Sequence, residues 1–178
     1  MTIAITAKPL STPSTGPTLY GTRCPGQCDL HRSRGVRDEF LHWPDDVLEQ
    51  FLFDHGDNGA FVYDYDSIDL LEVKRRLETI PAADFIGMPT GASDAGCIES
   101  YAENPVHWVK ARRPEVGRHW EEHGTWLSPP ILIARRLLDP SDSGLQIVEG
   151  RTHVGVLRGR LCEGLHVASC HQAWVGRA

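Results

Sequence analysis

The sequence predicts an α/β (α+β) fold, a single domain with a small mixed sheet and flanking helices behind an N-terminal arm. Three observations carry this expectation. Residues 130–148 read as two β-prone runs around a dense turn cluster, residues 151–164 shift to a helical period, and residues 173–175 return to strand-forming types. At 178 residues the chain is long enough for one hydrophobic core and short for two.

Residues 1–37 are rich in Thr, Ser, Pro and Gly, with almost no hydrophobic period, which is the composition of a flexible basic arm. The domain is read over residues 38–178. Pro44 stands at a first helical turn, Val47, Leu48, Phe51 and Leu52 follow on one face, and His55 and Gly56 end the segment. Residues 60–65 read as a short strand. From Asp69 to Ile80 the apolar spacing predicts an amphipathic helix, closed by Pro81. Residues 86–100 are turn chemistry and read as a loop. A helix near 101–112 is interrupted by Pro105, and a short one at 115–123 stops at Gly124. Residues 130–138 and 145–148 form a hairpin around the turn at 139–144. A helix then runs to Gly164, and a last strand lies near Trp174.

Composition narrows the function classes. Hydrophobic residues at 40% and charged residues at 24% are ordinary for a globular chain. No apolar run approaches the roughly 20 residues that cross a bilayer. Residues 1–16 hold one Lys and no apolar signal core, so a cytoplasmic location and no membrane partner are expected. Five Cys, at 24, 28, 97, 162 and 170, suit free thiols better than a disulfide framework. Residues 38–72 hold eleven Asp or Glu and no Lys or Arg, a solvated face that argues against a surface adapted throughout to nucleic acid. A smaller basic face around Arg151, Arg158 and Arg160 leaves a nucleic-acid partner open.

The turn at residues 149–153 is the strongest candidate site. Gly150, between a strand and a helix, permits a tight reversal and close approach of a ligand to the backbone. The helix start offers unpaired N–H groups and a positive dipole end to phosphate or carboxylate. Thr152 can cap the helix or donate to an anion, and Arg151 and Arg158 can supply charge-assisted contacts. Glu149 sits at the strand end, where a metal, a proton or a cation must share the site. A purely structural turn, with Gly150 as the reversal and Thr152 as the cap, explains the same residues.

Residues 147–157, Ile-Val-Glu-Gly-Arg-Thr-His-Val-Gly-Val-Leu, resemble the loop of ParB/sulfiredoxin proteins. There a strand ends in Gly, two variable residues and a basic residue, then enters a helix. Gly150 matches the box glycine, His153 stands where an Arg is usual, and Gly155 falls near the family's small helix residue. The order of hairpin, helix and closing strand over about 129–177 is similar too. The resemblance implies a nucleotide- or phosphate-binding domain, with Gly150, Arg151, Thr152, His153 and Arg158 around the phosphates. It implies CTP or ATP with Mg²⁺ as cofactor, and Glu149 and His153 as catalytic residues if NTP hydrolysis or phosphoryl transfer occurs. The sulfiredoxin box Cys is absent, the nearest being Cys162. No helix-turn-helix follows the box before Ala178, unlike in the partitioning proteins. The alternative reading is a non-catalytic regulatory or DNA-associated interaction module.

A competing motif is His119, Glu122 and His123, the H-x-x-E-H spelling of inverted zinc peptidases. Zinc hydrolysis would need a third ligand and a longer helix than Pro114 and Gly124 allow. Cys24, Cys28 and His31 offer three soft ligands where structural zinc needs four. Trp120 and Trp126 read as core packing. Cys170 and His171 are adjacent on a strand and face opposite sides, so they make no nucleophile–base pair.

Overall fold

The computed structural model describes Pro44, Val47, residues 59–69 and residues 72–178. The arm at 1–37, the Cys24, Cys28 and His31 cluster, and most of the helix read at 43–56 lie outside the described residues. Within that segment, Val47 sits in a helical turn, donating to Pro44 C=O at 3.0 Å, and is buried.

The domain is α+β. Five α-helices and four strands are described: α1 (Gly59–Tyr65), β1 (Lys74–Pro81), α2 (Cys97–Ala102), α3 (Pro105–Lys110), α4 (Pro114–His123), β2 (Ile131–Ala134), β3 (Leu145–Glu149), α5 (Arg151–Cys162) and β4 (Cys170–Arg177). The strands form one open mixed sheet in the order β1-β4-β2-β3. β1 pairs antiparallel with β4, β4 runs parallel to β2, and β2 and β3 make the expected antiparallel hairpin. That hairpin is shorter than the sequence suggests, because Arg135–Leu137 turns into a 3-10 segment.

Period-2 alternation sorts the side chains between two cores. Leu132, Ile147, Ala173 and Val175 face α5, where they pack with Phe85, Trp120, Trp126, Val154 and Leu157. Ile131, Ile133 and Val148 face the other side and pack with Val47 and Tyr65. Trp120 and Trp126 are core residues, 1% and 3% exposed. The helix α5 lies close against α2 and α3 through Gly155 and Gly159. A β-carbon at 155 would press on Tyr101 and lie 2.8 Å from Ile98 C=O, and one at 159 would meet Ala102 C=O and lie 2.9 Å from Pro105.

Two expectations are overturned. The strand read at 60–65 is the helix α1, and the helix read from Asp69 to Ile80 is largely strand β1. Distant partners decide both. Tyr65 donates to Ile147 C=O and accepts from the Gln146 amide, each at 3.3 Å, which docks α1 on the second sheet face. β1 pairs with β4 in register from Lys74 opposite Arg177 to Pro81 opposite Cys170. Leu77, counted in the apolar stripe, is 42% exposed. A full ladder outweighs a weak amphipathic pattern. The loop read at 86–100 contains one 3-10 turn, Ala92–Asp94, and the start of α2. Pro105 does not kink one helix but opens α3, whose first turn is capped by Asn104 accepting from His107 N–H at 3.1 Å. No helix among the described residues is long and apolar enough to cross a membrane.

Candidate functional site

Gly150 is the N-cap of α5 and adopts φ 94°, ψ 26°, the left-handed region that disfavours side chains. A β-carbon there would also run into Pro130, whose Cα would lie 3.0 Å away. The fold itself therefore demands glycine at this position, and substitutions there test folding before they test a ligand. The first helical hydrogen bond runs from Val154 N–H to Gly150 C=O at 3.0 Å. The amides of Arg151, Thr152 and His153 consequently have no partner within the helix. Thr152 does not cap it; the Thr152 hydroxyl accepts instead from Arg112 Nη2 at 3.2 Å.

A cavity of about 720 Å³ opens at this helix start. Glu149, Gly150, Thr152 and His153 line it. Arg112 and Arg113, from the turn between α3 and α4, supply the cations. Arg113 is ion-paired with Glu115 at 3.2 Å. Trp108, Val109, Val116 and Val156 add apolar side chains to the lining. Burial pushes the His153 imidazole down to about 4; Glu149 opposes this weakly and Arg112 reinforces it. Its Nδ1 is buried without a hydrogen-bond partner among the described residues, while the ring lines the cavity and meets Trp126 edge-on at 6.1 Å. A neutral imidazole is the form this position stabilises.

The other arginines read from the sequence are engaged elsewhere. Arg151 bonds Asp94 and, at 3.2 Å, Glu149. Burial alone would lower its guanidinium, but the two carboxylates outweigh that and raise it. Arg158 donates to the carbonyls of Phe85 (2.9 Å) and Met88 (2.6 Å) and pairs with Glu99. Arg160 donates to His166 C=O and Glu121 and lies over the Trp120 ring at 5.4 Å. None of the three lines the cavity, and the basic face expected of them is not presented, because their charges are closed by internal partners.

The structure thus brings Glu149, Gly150, Thr152 and His153 to the cavity lining, and leaves outside that lining both Arg151, which is held on Glu149 and Asp94, and Arg158. Sequence reading missed Arg112, Arg113 and Trp108. The available signal was a basic pair set between two proline-opened helices. His119 and His123 do lie together on α4, with ring centroids 4.5 Å apart and planes tilted by 57°. No group of three His, Cys, Asp or Glu side chains among the described residues is placed to hold a metal ion. Cys170 is exposed and His171 buried, on opposite faces of β4. No protein-family model matches the chain, and no curated protein or solved structure matches it.

Proposed function

We propose that the chain is a nucleotide- or phosphate-ligand-binding domain of ParB/sulfiredoxin type, with the helix start after Gly150 as its phosphate cradle. The observation that carries this reading is convergence on one cavity: the N-terminus of the twelve-residue α5, the Thr152 hydroxyl and the Arg112 guanidinium. Helix-start amides and the positive dipole end favour an oxyanion, and a guanidinium matches it bidentately. The cavity volume falls within the roughly 300–1,000 Å³ of small-molecule sites. The order of hairpin, glycine turn, helix and closing strand supports the same resemblance.

CTP or ATP would lay its phosphates on these donors. Glu149 is the one carboxylate lining the cavity among the described residues, and it would be the protein's contribution to Mg²⁺, which is commonly held by one or two carboxylates together with phosphate oxygens. NTP hydrolysis or phosphoryl transfer is the narrower version of the proposal, with Glu149 and His153 as its acid–base pair. An imidazole held near 4 is a weak base at neutral pH, so its chemistry favours binding over turnover.

The test is a thermal-shift panel of NTPs, NDPs, pyrophosphate and inorganic phosphate, with and without Mg²⁺. At least one should raise the melting temperature, by the equivalent of about 2.7 kcal/mol at a hundredfold excess over Kd. Arg112→Ala should weaken that response about tenfold or more, since charge-assisted bonds contribute roughly 1.5–3 kcal/mol. If no phosphate compound stabilises the protein, the cavity is not a phosphate site.

A further inference from the structure

We infer that the ligand is bipartite, and that Trp108 is the platform for its planar ring. This deepens the phosphate reading and rests on it. The cavity is far larger than a phosphate group requires, and its lining joins two chemistries. The Gly150 turn and Arg112 are polar, whereas Trp108, Val109, Val116 and Val156 are apolar. Val109 and Val156 are already buried, so Trp108 and Val116 are the apolar members still partly open. Inorganic phosphate or a sugar phosphate would leave these two against water, whereas an aromatic base would cover them.

Trp108 is half-buried and its ring is already fixed. It meets Tyr101 at 4.8 Å and 86°, and His107 at 5.2 Å and 80°, both edge-to-face contacts. A ring pinned on two sides loses little freedom when a second ring arrives. Trp108 lies in α3, four residues before Arg112 in the turn that follows, so one short segment supplies both the ring and the anion partner.

The deciding experiment is calorimetric titration of the wild-type chain with AMP, CMP, ribose 5-phosphate and pyrophosphate. At least one nucleotide should bind about tenfold or more tightly than ribose 5-phosphate, the range that base–aromatic stacking supplies. Trp108→Ala should bring the nucleotide down to the ribose 5-phosphate affinity, while Trp108→Phe keeps most of the advantage. Arg112→Ala should weaken all of them together. Equal binding of ribose 5-phosphate and both nucleotides by the wild type would overturn the stacking platform and leave the phosphate site standing. An unchanged nucleotide affinity in folded Trp108→Ala would do the same. Binding of none of the four would overturn the phosphate reading, and this inference with it.

Discussion

The two halves of α5 are built on opposite terms. Its first turn keeps three amides without helical partners, an orphaned imidazole nitrogen and a cavity beside them. Beyond that turn the helix is closed: Gly155 and Gly159 admit α2 and α3 to contact, and Arg158 and Arg160 spend their donors on carbonyls and carboxylates. Helix starts with unmet donors are costly, and they persist where surrounding structure over-determines them. Here the over-determination lies within the same helix. Packing and buried donors clamp the helix beyond its first turn, whereas the first turn, held by the Arg151 side chain on Asp94 and Glu149, keeps its backbone amides outside the helical ladder.

The most severe way to break this division is to enlarge the packed half. Gly155→Val would force a branched side chain into Tyr101 and Ile98, and should cost more than about 3 kcal/mol or prevent folding. Thr152→Val, nearly isosteric and beside the cavity, loses one hydrogen bond from an exposed guanidinium and should cost less than about 1 kcal/mol. Urea denaturation of both variants measures the contrast directly. Equal losses would mean that the two halves are anchored alike.

The same division explains what could be read without coordinates. The Gly150 turn, the α5 helix and the hairpin before it rest on neighbours in sequence: the turn cluster at 139–144, the period change after Glu149, and Gly164 as a stop. Four cavity residues were therefore legible, at 149, 150, 152 and 153. The clamps were not. Arg158 reads as an anion ligand until Phe85 and Met88, some seventy positions earlier, offer it their carbonyls. Arg112 and Trp108 reach the cavity only because Gly155 and Gly159 draw α2 and α3 onto α5. α1 and β1 were misread for the same reason, since Gln146, Ile147 and the whole of β4 decide their conformation from far along the chain.

Acid provides a milder probe, because a histidine sits on each side of the division. His153 and His171 both lie against Trp126, and burial pushes both down to about 4. His171 belongs to the core: it is 2% exposed, and its Nδ1 bonds the Thr125 hydroxyl at 2.7 Å. Between the ordinary value of 6.5 and about 4, the unfolded chain binds a proton that the folded imidazole refuses. Stability should therefore fall with falling pH across that window and level off below it, by about 3 kcal/mol for His171. Carboxylates also lose their contributions in acid, so the difference between wild type and His171→Gln isolates the imidazole. Parallel urea-midpoint curves for the two proteins from pH 7 to 4 would show that His171 titrates normally.

The smallest expected effect is also the sharpest. His153→Phe keeps a flat ring against Trp126 while removing the buried nitrogen that has no partner among the described residues. Replacing an unsatisfied polar atom by an apolar one of similar shape is nearly neutral or slightly stabilising, so stability at pH 7 should change by less than about 1 kcal/mol. The acid limb should flatten only in part, because the ring is partly exposed on the cavity side and contributes less than His171. A loss above about 2 kcal/mol at pH 7 would place His153 with the packed half of α5. The first turn would then be a piece of the core, and the unmet groups around it would need an internal explanation instead of a ligand.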